Sequence, residues 1–387
     1  MYVTGLPNLV KWVSATHLQL EQHACLRLVP GTRFGADRAP LQGKQLAQTV
    51  LNYLKQMNRL RTTMMAVVAC LSAAGCTSYQ ASGSPRAALP LPPEIQQYYA
   101  YGSNAVSASV TMVEEHPAFS VKEVTLSVTG SRWPIRILWF APKTSERRPL
   151  ILISPIRGSD TVVVDGCARA FAGSGYHAAI IKRARFDFDP TGPLTQVEDS
   201  LRTAVIRHRE ALDWLVRQPV VDLDRVAAFG ISYGAIVSSI LAAVEPRVKI
   251  CVLDLAGGPL PGVMESSEEH SLRRSWVRSR DSHDLTNKEL YHALGDVIRT
   301  DPVKLAPYVA RDKVLMLIAR FDSSVPTRYQ IKLWQALGKP RADFVPLGHY
   351  TSILALPVHR LSVMRFFEDN FERPVLKPAQ TATQARN

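Results

Sequence analysis

The stretch from Arg225 to Ala243 leaves little freedom in local structure. Arg225-Val226-Ala227-Ala228-Phe229 is short and apolar, as a buried strand is. Ala235-Ile236-Val237-Ser238-Ser239-Ile240-Leu241-Ala242-Ala243 reads as a helix. Between them stand only Gly230-Ile231-Ser232-Tyr233-Gly234. A strand that passes into a helix so quickly must turn sharply, and the turn lifts its central side chain clear of the sheet. Glycines on either side let the backbones approach closely. A serine raised there can act as a nucleophile. The five letters alone are weak, because roughly one chain in ten of this length carries Gly-x-Ser-x-Gly by chance. The plain alternative is a Gly-rich turn in which Ser232 only caps the helix. A base and an acid in suitable places are needed to displace it.

Both lie downstream. Lys313-Val314-Leu315-Met316-Leu317-Ile318-Ala319 is a buried-strand pattern that ends abruptly in Arg320-Phe321-Asp322-Ser323-Ser324-Val325-Pro326. Ala342-Asp343-Phe344-Val345-Pro346-Leu347 ends in Gly348-His349-Tyr350. Ser232, Asp322 and His349 thus follow one another, and the last two each follow a strand. This is the Ser, Asp, His order of the α/β-hydrolases. From about Val121 to the last helix near Phe371 the chain resembles that family. Val221-Asp222-Leu223-Asp224-Arg225-Val226 resembles the family's approach to the nucleophile, Asp322-Ser323-Ser324-Val325-Pro326 its acid loop and Gly348-His349 its histidine loop. Within the superfamily it looks most like the dienelactone hydrolase, acetyl-xylan esterase and prolyl-oligopeptidase-like branch.

The resemblance implies an acyl-enzyme formed on Ser232, with His349 as base and Asp322 as orienting acid. The chemistry needs those residue types. A serine hydroxyl is a poor nucleophile at neutral pH, and histidine titrates where a base for it is useful. A carboxylate on the other ring nitrogen fixes the tautomer and stabilises the imidazolium. Asp254, at the end of Ile250-Cys251-Val252-Leu253, is the rival acid, because some family members carry it one strand earlier. Asp322 also suits the opening of a turn. His270, His283, His292 and His359 lie in polar or helical contexts and are poorer bases.

The oxyanion hole should take one N–H from Tyr233, the residue after the nucleophile. The second should come from the loop after Leu150-Ile151-Leu152-Ile153-Ser154. The family usually has His-Gly there, whereas this chain has Pro155-Ile156-Arg157-Gly158-Ser159. Pro155 has no N–H to give. Arg157 is the expected donor, with Ile156 beside it. The Arg157 side chain either faces solvent or brings a cation to the pocket.

A second signal lies near the amino terminus. Met57-Asn58-Arg59-Leu60-Arg61 is basic, and Met64 to Ala74 is apolar but too short for a membrane-spanning helix, which needs about 20 residues. With Ala73-Ala74-Gly75-Cys76 the segment resembles a bacterial lipoprotein signal in which Cys76 is acylated. That implies a lipid anchor and a place in the cell envelope. The plain alternative is a buried helix with an incidental cysteine. A secretory signal belongs at the start of a chain, so residues 1–56 are expected to precede the true start at Met57 or to be a disordered extension. Residues 76–97 are rich in Ser, Ala and Pro, as a tether is.

The chain carries a formal charge of +13, of which +6 falls in residues 1–75. The rest is scattered, and Arg273, Arg274, Arg278 and Arg280 form the one notable cluster, surrounded by acidic residues. No nucleic-acid motif accompanies it. No metal-ligand cluster, nucleotide loop or cofactor fingerprint is present in the sequence, so no cofactor is expected. A disulfide between Cys167 and Cys251 cannot be read from spacing.

Residues 98–372 suit one α/β domain, with residues 373–387 as a disordered tail. Val121–Val128 and Ile135–Ala141 alternate like antiparallel edge strands. Strands at 150–154, 178–181, 225–229, 248–255, 314–319 and 343–347 alternate with helices at 162–172, 197–217 and 358–371. That rhythm implies a mainly parallel sheet flanked by helices, with ligands at the carboxyl ends of the strands. Residues 257–309 form a charged, helical insert between the sixth and seventh strands, expected as a cap. Its Met264, Trp276, Leu285, Tyr291 and Leu294 either line the acyl site or make the insert's own small core. The expected function is hydrolysis of a small-molecule carboxylic ester. Amide or thioester cleavage on the same fold, and a non-catalytic envelope scaffold, remain as alternatives.

Overall fold

A computed structural model describes residues 76–102, 106–129, 133–157, 162–183 and 189–371. The expectations for residues 1–75 and 373–387 lie outside the described residues. The sheet and the candidate site lie within one compact unit.

The elements run β1 (Thr77–Tyr79), α1 (Pro93–Tyr98), β2 (Val106–Glu115), β3 (Phe119–Val128), β4 (Ile135–Pro142), β5 (Arg148–Ser154), α2 (Val162–Gly173) and β6 (His177–Ile181). Next come α3 (Gln196–Leu215), β7 (Val221–Ile231), α4 (Tyr233–Val244) and β8 (Val248–Asp254). Four helices follow, α5 (Leu260–Ser266), α6 (His270–Ser282), α7 (Asn287–Val297) and α8 (Pro302–Leu305). The chain continues with β9 (Val314–Ala319), α9 (Thr327–Ala336), β10 (Arg341–Val345) and α10 (Leu356–Phe371).

The ten strands of the described residues form one sheet in the order β1-β10-β9-β8-β7-β5-β6-β4-β3-β2. The run from β10 to β6 is parallel throughout. The outer pairings, β1 with β10, β6 with β4, β4 with β3 and β3 with β2, are antiparallel. The central strands are covered on both faces. Leu150, Ile151, Leu152 and Ile153 of β5 are fully buried, as are all six residues of β9. Unbroken apolar runs of this kind belong in the middle of a parallel sheet, where helices close both sides. The structure is therefore the α/β-hydrolase fold that the sequence resembles, with a helical insert between β8 and β9.

Three departures from the sequence reading have physical causes. First, β3 and β4 pair antiparallel as expected, but β2 takes the edge place beyond them. β2 is exposed along most of its length, so its own pattern carries no buried face to betray it.

Second, residues 76–97 lie along the domain instead of hanging from it. β1 covers the outer edge of β10, which would otherwise offer unpaired backbone groups. The Ser78 hydroxyl donates to Asp343 at 2.6 Å. Arg86 donates to the carbonyls of Ala336 and Ala306 at 2.9 and 3.1 Å, and Arg311 to those of Ser82 and Ser84 at 3.0 and 2.9 Å. A Ser- and Pro-rich segment makes no core of its own, yet its carbonyls are ready acceptors for arginines from elsewhere.

Third, the insert does not form a separate small core. Trp276, Leu290 and Leu294 belong to the same buried cluster as the sheet, and Met264, Leu285 and Tyr291 pack half-buried against it. Met264, Trp276 and Leu294 also line a narrow cleft with Leu194 and Val197. Helix α7 begins with a reciprocal cap between Thr286 and Glu289, and Glu269 caps α6 through Ser271 and Leu272.

Candidate active site

Ser232 stands at the junction of β7 and α4 with φ 56° and ψ −121°. A positive φ is costly for a residue with a side chain, on the order of 1–3 kcal/mol, and is kept only where the surroundings impose it. They do so here through the two flanking glycines. A Cβ at Gly230 would come within 2.3 Å of Gly234 carbonyl atoms. A Cβ at Gly234 would come within 2.1 Å of the Ser154 carbonyl oxygen and 2.8 Å of that of Pro155. The glycines thus let β7 turn against its own helix and let that helix press on the end of β5. The Ser232 N–H donates to the Asp254 carbonyl at 2.7 Å, tying the turn to β8. Tyr233 and Gly234 open α4, where the first N–H groups of a helix have no acceptor within it and favour an anion.

The acid and histidine loops meet beyond the ends of β9 and β10. His349 Nδ1 lies 2.7 Å from Asp322 Oδ2. A carboxylate accepts only, so Nδ1 carries the proton and Nε2 of the neutral ring is left as an acceptor. Of the two acids that the sequence left open, Asp322 is the one bonded to the histidine. The Asp322 side chain is fully buried, and the His349 side chain is partly buried, 13% exposed. Oδ1 accepts the N–H groups of Ser324 and Val325, each at 2.9 Å. Oδ2 accepts the amide of Gln330 at 2.8 Å. Gln330 is itself fully buried, donates also to the Val325 carbonyl at 2.8 Å and accepts the Ala319 N–H at 3.1 Å. The two loops are stitched by Arg320 N–H to the Val345 carbonyl and Phe321 N–H to that of Leu347, at 2.9 and 3.0 Å.

On the other side, Ser154 ends β5 and Pro155-Ile156-Arg157 follows. The Arg157 side chain reaches the insert, donating to Ser271 Oγ at 2.9 Å and pairing with Glu269 at 3.3 Å. Arg183 donates to the Arg157 carbonyl. Its guanidinium also sits 4.7 Å from the centre of the Tyr233 ring. The two residues expected to supply oxyanion N–H groups are therefore linked through one arginine. The start of the insert touches the acid loop as well. Ser267 Oγ donates to the Ser324 carbonyl at 2.7 Å, and the Glu268 N–H to that of Ser323 at 2.9 Å. Cys76 is exposed just before β1, where Arg320 of the acid loop donates to the Thr77 hydroxyl at 2.8 Å.

Sequence reasoning missed Gln330 and Arg183. Gln330 lies on the buried face of α9, eight residues beyond Asp322, and a glutamine on a helix carries no signal of its partner. Arg183 follows β6 and looks like any arginine leaving a strand. Among the described residues no group of His, Cys, Asp and Glu is arranged to hold a metal ion.

The sequence matches the X-Pro dipeptidyl-peptidase (S15) family over residues 92–275 and the prolyl oligopeptidase family over residues 208–348. No curated protein matches the sequence. Among solved structures, acetyl xylan esterase 1 from Thermoanaerobacterium sp. JW/SL YS485 is 16% identical with a TM-score of 0.55, covering 73% of this chain and 96% of its own. The acetyl xylan esterase from Paenibacillus sp. R4 is 19% identical with a TM-score of 0.56, covering 72% and 100%. The acylaminoacyl peptidase of Pyrococcus horikoshii is 15% identical with a TM-score of 0.52, covering 68% of this chain but 44% of its own. At these identities the structures speak for the fold. The two family matches overlap on the strand, turn and helix around Ser232, and the chain is a serine hydrolase with the α/β-hydrolase fold.

Proposed function

We propose that this protein cleaves carboxylic esters through an acyl-enzyme on Ser232. The observation that carries the reading is the His349–Asp322 bond with its buried Gln330 support, taken together with a serine held at positive φ. In the first half-reaction Ser232 Oγ attacks the ester carbonyl carbon and its proton passes to His349 Nε2. Asp322 holds Nδ1–H and balances the imidazolium. The carbonyl oxygen becomes an oxyanion facing the Tyr233 N–H and an N–H from Ile156 or Arg157. The C–O bond breaks, and the leaving alkoxide takes the proton from His349. In the second half-reaction water gives its proton to His349 and attacks the acyl carbon, the bond from that carbon to Ser232 Oγ breaks, and His349 returns the proton to Oγ as the acid leaves.

Ester is favoured over amide by extent. The chain matches nearly the full length of proteins described as acetyl xylan esterases, but less than half of one described as an acylaminoacyl peptidase. Peptide cleavage is the second reading, because both family matches are to peptidases. A p-nitrophenyl ester series of increasing acyl length, run beside a panel of X-Pro anilides, separates them. Turnover of short-chain esters without anilide cleavage supports the esterase reading, and the reverse pattern overturns it.

We also propose that Cys76 carries a lipid anchor in a bacterial envelope. β1 begins at the next residue, so the anchor would sit against the β1–β10 edge and not at the end of a free tether. Mass spectrometry of the mature amino terminus tests this: a diacylglyceryl mass on Cys76 supports it, and a native peptide running through Gly75-Cys76 refutes it.

A further inference from the structure

We infer that Ser154, His208 and Ser238 form a buried hydrogen-bond chain that positions the oxyanion loop against the nucleophile helix. The inference rests on reading Ser232 as nucleophile and residues 155–157 as the oxyanion loop.

Ser154 is the last residue of β5, immediately before Pro155, and is 1% exposed. Its hydroxyl lies 2.9 Å from His208 Nε2 on α3 and 3.1 Å from the Ser238 hydroxyl on α4. His208 Nδ1 lies 2.7 Å from the Ala204 carbonyl. A carbonyl only accepts, so Nδ1 carries the proton and Nε2 of the neutral ring accepts. The chain therefore has one direction. Ser238 O–H donates to Ser154, Ser154 O–H donates to His208, and His208 donates to Ala204. Burial holds the His208 pKa down to about 4, which keeps the ring in its accepting form near neutrality.

Three elements meet at this hydroxyl: the strand that delivers the oxyanion loop, the helix that begins at the nucleophile, and the long helix α3. Pro155 cannot extend the β5 ladder by donating, because it has no N–H. The Ser154 carbonyl already lies against Gly234, where a Cβ would clash. The backbone contact sets how close the loop and helix come, and the side-chain chain sets the angle at which β5 ends. Small apolar residues would fill the same space without cost. A buried hydroxyl and imidazole are costly unless every donor finds its acceptor, and when it does they fix one geometry. All three are buried, with Ser154 1%, His208 4% and Ser238 0% exposed, and we assign them a positioning role.

The test compares Ser154→Ala, His208→Asn and His208→Gln. Asparagine keeps a donor near the Nδ1 place for Ala204 and offers nothing at Nε2. Glutamine can place an acceptor near Nε2. The readouts are kcat and KM on p-nitrophenyl acetate, the rate of Ser232 labelling by a fluorophosphonate, and Tm. Ser154→Ala and His208→Asn are expected to lower kcat and labelling rate about 10- to 100-fold, the cost of a small misplacement, with KM little changed. His208→Gln is expected to recover most of the rate. Ser238→Ala removes a single link without disturbing α3, and a loss of kcat there at unchanged Tm supports the inference should the histidine variants fail to fold. Wild-type labelling rates in Ser154→Ala and Ser238→Ala overturn it, as do glutamine and asparagine variants that lose rate equally and in step with Tm. A wild-type protein that never labels at Ser232 overturns the nucleophile reading, and this inference with it.

Discussion

Asp322 draws its hydrogen bonds from its own neighbourhood: Ser324, Val325 and Gln330 within eight residues, and His349 27 residues on. The oxyanion loop draws its support from across the chain. Arg183 reaches it from 26 residues away, His208 from 54, Ser238 from 84, and Glu269 and Ser271 from more than 110. A corner built from local contacts can be carried by a short motif and moved between chains with its geometry intact. A corner built from distant contacts depends on how α3, α4 and the insert pack, and it is where specificity can change while the Ser, Asp, His order stays.

The largest expected effect breaks the local corner. Asp322→Asn should lower kcat by about 10⁴-fold while leaving the fold intact, because the carboxylate no longer sets the tautomer of His349. Asp254→Asn is the control, and an equal loss there with a mild one at Asp322 would transfer the acid role to β8.

Acid should strain the side of the molecule that holds His208. Burial holds both His208 and His177 down to about 4. The unfolded chain protonates these rings below about pH 6.5, whereas the folded chain resists until near pH 4. Stability from them is therefore complete above about pH 6.5 and is lost as pH falls toward 4, by up to about 3 kcal/mol for His208. Urea melts at pH 7, 5.5 and 4.5 check this, and His208→Gln should flatten the slope.

Gln330→Leu should cost about 1–3 kcal/mol in a urea melt, because it leaves Asp322, Val325 and the Ala319 N–H each short of a buried partner. It should also lower kcat, since Asp322 then loses one of its restraints.

The smallest effect is expected from Glu269→Gln. The Arg157–Glu269 pair is partly exposed on both sides and should contribute no more than about 1 kcal/mol. A large loss of kcat in this variant would shift control of the oxyanion loop from the Ser154 chain to the insert.

How much of this was legible in the sequence follows the same division. Val314–Ala319 and Leu150–Ser154 could be read as central strands because burial on both faces leaves unbroken apolar runs. Ser232 and Asp322 could be read because each sits just beyond such a strand, and His349 because it follows the shorter, mixed strand β10. β2 was missed because an edge strand in contact with solvent need not follow the core's pattern. The 76–97 segment was misread because its composition rules out a core of its own, but does not tell that Arg86, Arg311 and the β10 edge hold it. Gln330, Arg183 and His208 take their meaning from partners that only the folded chain supplies.

The central claim is that Ser232 is an activated nucleophile. Incubation of the full chain and of Ser232→Ala with a fluorophosphonate, followed by peptide mass mapping, tests it most directly. The expected result is a single adduct on the peptide holding Gly230–Gly234, lost in Ser232→Ala. An unlabelled wild-type protein, or a label that persists in Ser232→Ala, would contradict it.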